Sequence, residues 1–372
     1  MRNKFLLSIM FCLVLSVLFA DETENVSVNL PKVGDLYLLL NNSNDREMAQ
    51  LLLKRKGQTT RQVIDTYQGM LPDAILKHDL NRDGNTDIIV ITKHPDNNAK
   101  QPYIYSYVKD FKRIFPENDD EINPFLCSDI FITSSKKGIP AIGMSNQISY
   151  HDFGPPHLFR TELYALNKGK LELIEQGLTE GNHYNILMNK GAIALHAGQY
   201  IEAIDFYNKS ITSSTGEITT KAFIESIFNL AEARKFTKDF KTALDLYEKI
   251  VLEFSENSFT DIAQKEIELI SSNLDNIEAL SFYIDVISLI NTDKWSEALE
   301  LLNNHPIANS DNKLLDRFLF TKAEIFTAIN KIEDATKVYY EIKEKFPESP
   351  IIESVDELLE DIATQPDDNS YL

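Results

Sequence analysis

The chain is short of cysteine, of glycine and proline, and of positive charge, and each shortage removes a class of answer. Only Cys12 and Cys127 occur in 372 residues. A disulfide-built scaffold is excluded, and no C-x-x-C is present for redox or zinc chemistry. With 13 Gly and 13 Pro the chain is neither fibrous nor of low complexity. Lys and Arg total 37 against 57 Asp and Glu, a formal charge of -20. Such a chain repels phosphate backbones and bare anionic membranes, so no nucleic acid partner is expected. Catalytic signatures are missing too: there is no Gly-rich phosphate loop, no H-E-x-x-H and no G-x-S-x-G. The seven histidines are scattered. His78 borders an acidic loop, and His151, Asp152 and His157 flank a Gly-Pro-Pro turn that reads better as a rigid loop than as a metal site. Chance carboxylate pairs are inevitable at this acidity, so no glycosidase pair is assigned.

What is present suits two domains with real cores, since 43% of residues are hydrophobic. The first twenty residues stand apart. Arg2 and Lys4 precede an uncharged run from Phe5 to Ala20, followed by acidic DETEN. This is the layout of a signal peptide over 1–20, an uncleaved anchor being the alternative, and it implies export to the periplasm, the envelope or the exterior. The run is shorter than the roughly 20 residues of a membrane span, so no integral span remains once it is removed. Removal takes two positive charges and moves the formal charge from -20 to -22. It also takes Cys12, leaving Cys127 alone as a small buried apolar residue with no local histidine to activate it.

The C-terminal half repeats itself. Gly191, Ala231, Val286 and Ala323 are each followed twelve positions later by an alanine: Ala203, Ala243, Ala298 and Ala335. Three positions before each alanine is a large apolar residue (Tyr200, Phe240, Trp295, Ile332), and four after it another (Tyr207, Tyr247, Leu302, Tyr339). Small residues let two antiparallel helices approach, and residues four apart share one helical face. The alanines lie 40, 55 and 37 residues apart. The long gap holds an extra helix in SFTDIAQKEIELISSNL, and a similar helix, SPIIESVDELLEDIA, follows the fourth repeat. Both read as caps closing blocks of two repeats. The tail, 365–372, reads as disordered.

Segments such as DFKTALDLYEKIVLEFSENS and KIEDATKVYYEIKEKFPESP resemble tetratricopeptide (TPR) repeats, most of all those of bacterial envelope proteins. The resemblance covers roughly 184–363 and implies a helical solenoid with a protein or peptide partner on its surface.

Residues 21 to about 178 read differently. REMAQLLLKRK suggests a short helix capped by Ser43 or Asp45. DIIVIT, YIYSYV, DIFITS, TELYAL and KLELIE read as strands, with a hairpin turn at NKG. In DLNRDGNTDIIVI, oxygen-bearing residues alternate at Asp79, Asn81 and Asp83. Gly84 then allows a sharp turn, and Asp87 closes the set. Alternation turns the oxygens to one side, as a calcium ion needs, with Asn85 offering its carbonyl. An Asx-rich turn without metal is the competing reading. The loop resembles that of FG-GAP repeats in integrin-type propellers, over about Ile75 to Phe115. That likeness implies Asp79, Asn81, Asp83 and Asp87 as side-chain ligands of a structural Ca2+, and a second blade-like unit over Asp129–Glu175.

The expectation is therefore a multidomain α+β protein. A small β-rich domain spans 21–180, and an all-α TPR solenoid of about four repeats plus capping helices spans 181–364. The expected function is that of a non-enzymatic protein-binding scaffold with a structural calcium loop. A surface binder of carbohydrate or matrix and a cryptic hydrolase are the alternatives.

Overall fold

The computed structural model describes residues 26–43, 46–107, 110–116, 127–213, 217–310 and 312–364. The signal segment and the tail expected from sequence lie outside these residues. The architecture is a β-rich N-terminal region followed by ten helices among the described residues. The chain divides into two compact units. One runs through Gln147 and resumes over Phe159–Thr179; the other takes Ile148–Leu158 and continues from Glu180.

The β unit holds three four-stranded sheets, each a meander of consecutive strands. The first contains β1 (Val26–Leu30), β2 (Gly34–Ser43), β3 (Arg46–Arg55) and β4 (Gln62–Gln68). The second contains β5 (Leu71–His78), β6 (Asp87–Lys93), β7 (Lys100–Tyr107) and β8 (Phe111–Phe115). The third contains β9 (Asp129–Ser134), β10 (Pro140–Ile148), β11 (Leu158–Asn167) and β12 (Lys170–Leu178). The second sheet lies between the other two. Ile88 and Val90 of β6 enter one cluster with Leu36, Leu38, Leu51 and Leu53, while Ile89 and Ile91 enter another with Ile130, Ile142 and Met144. Successive side chains of a strand face opposite ways, so a strand covered on both faces reads as an unbroken apolar run, as β6 does. In the hairpin joining β11 to β12, Lys168 and Gly169 both have positive φ (49° and 82°), the pattern of a type I′ turn.

One element corrects the sequence reading. The segment expected as a helix over REMAQLLLKRK is strand β3, paired with β2 from Ser43↔Arg46 to Gly34↔Arg55. Its Ala, Leu, Lys and Arg are good helix formers. However, Ala49, Leu51 and Leu53 alternate along it and are all fully buried, and burial on a sheet face overrides intrinsic propensity.

The helical unit pairs α1 (Tyr184–His196) with α2 (Tyr200–Ile211) and α3 (Thr220–Phe236) with α4 (Phe240–Glu253). It likewise pairs α6 (Ile277–Asn291) with α7 (Trp295–Asn304) and α8 (Leu315–Ala328) with α9 (Ile332–Lys345). The four alanines of the repeat register are wholly buried, and so are Tyr207, Tyr247 and Ile250. Tyr200, Phe240, Trp295 and Ile332 each open the second helix of their pair. All four inter-helix turns close alike. Gly198, Lys238, Asp293 and Asn330 have φ between 59° and 71°. The amide after each reaches back five residues (Gln199 to Ala194, Asp239 to Arg234, Lys294 to Leu289, Lys331 to Phe326), the bond of a left-handed C-cap.

The extra helix α5 (Thr260–Ser271) does not close off a stack. Ala263, Leu269 and Ile270 join one continuous core with residues of α3, α4, α6, α7 and α8. α6 crosses the tips of the first two pairs. Ser288 Oγ meets the Tyr200 hydroxyl at 2.5 Å, and Asp285 pairs with Lys238 at 2.8 Å. The last helix, α10 (Ile352–Thr364), sets Val355 against Ala335, Tyr339 and Ile342.

Candidate functional site

The acidic loop joins β5 to β6, where the register His78↔Asp87 closes a hairpin base. Asp79 accepts from the Asp83 and Gly84 amides at 3.1 and 3.0 Å. Asn81 accepts from the Asp83 amide at 3.0 Å, and Asp83 accepts from the Asn85 amide at 2.7 Å. The latter two are successive Asx turns. The Asn85 amide holds the Asp83 carboxyl below its usual range. Asp87 is wholly buried: one oxygen accepts from the Leu80 amide at 3.0 Å, and the other, Oδ1, has no partner. Burial first, and then the charges of Asp83 and Asp79, push its carboxyl up. The donors are all oxygen, which suits a hard cation. Even so, among the described residues no three His, Cys, Asp or Glu side chains are placed to share one ion. As the loop stands, its carboxylates hold amides.

The histidine set flanking the Gly-Pro-Pro turn is not brought together. His157 Nδ1 lies 3.9 Å from Asp152, while His151 turns away to Glu225. Cys127 is buried, and that burial pushes its thiol up to about 12, far from a neutral-pH nucleophile.

The most elaborate polar construction is one the sequence did not point to. Residues 148–158 leave β10 and lie in the furrow between α1 and α3. Asn189 of α1 accepts from the Tyr150 and His151 amides at 2.8 and 3.0 Å and donates to the His151 carbonyl at 2.8 Å. One turn back, Asn185 donates to the Gly154 and Pro156 carbonyls at 2.7 and 3.2 Å. Both asparagines are buried. From α3, Glu225 holds His151 Nδ1 at 2.6 Å. Phe153 packs against Tyr184, Met188 and Ala222, with the Lys221 ammonium 5.8 Å from its ring centre. Tyr150 stacks on His196 at 4.9 Å. The segment thus runs antiparallel to α1, from His196 towards Asn185. The available signal was two asparagines four apart in YNILMNKGAIALH, a polar stripe on an otherwise apolar helix.

No family model matches the chain, and no curated protein matches it. Among solved structures, a thermophilic TPR protein of Thermus thermophilus is 11% identical and covers 49% of this chain and 100% of its own, with a TM-score of 0.22. Residues 644–1017 of HIRA are 8% identical and cover 76% of this chain and 97% of their own, with a TM-score of 0.18. Superpositions this loose inform neither fold nor function.

Proposed function

We propose that the chain is an exported, non-enzymatic scaffold of tetratricopeptide type that binds protein segments on its helical unit. The observation that carries this is the furrow between α1 and α3, which grips a non-helical segment chiefly through its main chain. Buried asparagines that pair with amides and carbonyls are the chemistry of polypeptide recognition, and not of catalysis. Apolar side chains also stand out on the helices: Ile201 is 74% exposed and Leu252 80%, against 50% for Val63 and Leu173 on the sheets. Among the described residues no helix is long and apolar enough to cross a membrane.

The test uses the full chain with a photo-crosslinking residue at Ile201, Leu252, Val63 or Leu173, irradiated in cells of the source. Protein adducts are expected at the helical positions and not at the sheet positions. Adducts confined to Val63 and Leu173, or none at all, would favour the carbohydrate or matrix reading instead.

A second reading concerns the acidic loop. We propose that, when Asp79 and Asp83 turn from the loop's own amides, it takes a structural Ca2+ on Asp79, Asn81, Asp83 and Asp87, a reading supported by the buried, unpartnered Asp87 Oδ1. Calcium would offset the burial of that charge and the repulsion among the three carboxylates. Millimolar Ca2+ is expected to raise the thermal midpoint of the full chain, and Asp79→Ala and Asp83→Ala to abolish the rise. An unchanged midpoint in the parent chain removes the metal.

A further inference from the structure

We infer that the furrow between α1 and α3 is a recognition site for a non-helical segment of aromatic–His–x–aromatic pattern, and that residues 148–158 are its resident occupant, a strap displaced by a partner segment of the same chemistry. The inference rests on the scaffold reading and names the ligand class for one face of it.

Two kinds of contact define the site. The Asn185 and Asn189 contacts touch only the backbone of the bent strap, so they carry no side-chain selectivity. Selectivity comes from three side-chain contacts: Glu225 opposite His151, the Tyr184–Met188–Ala222 hollow holding Phe153, and His196 beneath the ring of Tyr150. Between them they specify Tyr-His-x-Phe along one direction of α1.

The strap is an imperfect occupant, as a displaceable one must be. His151 Nε2 is buried and has no partner, and the hydroxyl of Tyr207, whose ring lies 6.5 Å from that of His151, is in the same condition. Each is a polar group taken from water with nothing returned. An occupant that reached the Tyr207 hydroxyl would hold the furrow better. Tyr150 remains 53% exposed, so one anchor is only half engaged. Between Ile148 at the end of β10 and Leu158 at the start of β11 the strap contributes no strand, so its departure breaks no sheet pairing. The strap also belongs with the helices in its contacts, although in sequence it lies between two stretches of the β unit.

An occupied site lowers the apparent affinity of any competitor by the fraction of time the site is free. Weakening the strap therefore exposes the site. A labelled peptide of Ile148–Leu158 sequence is titrated into the full chain and into its His151→Ala/Phe153→Ala variant, with fluorescence anisotropy as readout. The variant is expected to bind about tenfold more tightly or better. Adding Glu225→Gln or Asn189→Ala to it should remove that binding. A folded variant, judged by its far-ultraviolet circular dichroism, that binds no peptide overturns the inference.

Hydrogen exchange on the unaltered chain tests the same opening without any substitution. The Tyr150 and His151 amides are expected to exchange about tenfold or more faster than the α1 core amides, reporting opening of the strap alone. Exchange at the same rate as α1 makes the strap a permanent cap and overturns the inference. Neither result touches crosslinking at Ile201 and Leu252, so the scaffold reading stands or falls separately.

Discussion

Lys235→Ala is expected to lower the unfolding free energy of the helical unit by about 3–5 kcal/mol, the range for removing one partner of a buried ion pair. The side chain is 5% exposed, and its ammonium lies 2.9 Å from both Glu232 Oε1 and Glu266 Oε2. Tyr247 donates its hydroxyl to the same Glu232 oxygen. Lys235 thus sits between two largely buried carboxylates, and it ties the extra helix α5 to α3. Burial alone would lower its pKa, but Glu232 and Glu266 outweigh that and raise it. A cation with a raised folded pKa contributes stability that is complete below its unfolded value of about 10.4 and is lost as pH climbs through the folded one. The parent chain therefore keeps this contribution at neutral pH. In the variant both carboxylates lose the ammonium between them, and Glu266 keeps only the charge of Arg317. Glu266, already raised chiefly by burial, is then pushed further towards its protonated form. The deficit should consequently shrink as pH falls and Glu266, whose folded carboxyl is raised, takes up its proton. Lys235→Met keeps the aliphatic stem and isolates the charge. Combined with Glu232→Gln and Glu266→Gln, it should recover most of the loss, because removing both signs together leaves no stranded ion. Denaturant unfolding followed by circular dichroism at 222 nm measures all three. A loss below about 1 kcal/mol for Lys235→Ala would place the cluster in water and not in the core.

How much of this was legible beforehand depended on whether side chains or backbone carried the information. The helix pairs were legible because Gly191 and Ala203, and their three counterparts, are small at a fixed spacing. The turns between them were not. Gly198, Lys238, Asp293 and Asn330 share no side-chain chemistry, only a left-handed backbone, and all four precede their alanine by five positions. β3 was misread because Leu51 and Leu53 fit a helical stripe as well as an alternating strand, and only β2 opposite decides. The place of α5 was hidden for a related reason: an amphipathic helix does not say which neighbour covers it. In the acidic loop the spacing of Asp79, Asn81 and Asp83 was plain. Whether those oxygens face an ion or the loop's own amides is fixed by torsions no spacing records. The strap was least legible. YHDFGPPHLF reads as a rigid turn, and its meaning lies in Asn185, Asn189 and Glu225, up to 74 residues away.

Gly191→Val is expected to destabilise the helical unit by about 3 kcal/mol, at the upper end for overpacking a core. A Cβ at Gly191 would lie 2.9 Å from Tyr207 Cζ and 3.0 Å from both Cε atoms, closer than real carbon contacts. Tyr207 cannot swing away, since its ring is wholly enclosed. The better helix propensity of Val over Gly returns only a few tenths of a kcal/mol. The other repeats indicate what would relieve the clash. Sixteen positions separate Gly191 from Tyr207, Ala231 from Tyr247, Val286 from Leu302 and Ala323 from Tyr339. Only where the first residue is as large as valine is the second not a tyrosine, so the sequence already trades volume across this contact. Tyr207→Leu alone should destabilise through the cavity it opens, although it also removes an unpartnered hydroxyl. Gly191→Val with Tyr207→Leu imports the third repeat's pairing into the first. The double variant should be more stable than the sum of the single losses allows, by about 1–3 kcal/mol of coupling. Strict additivity would mean that the two side chains do not share a space, and the paired-helix contact on which the repeat register depends would have to be abandoned.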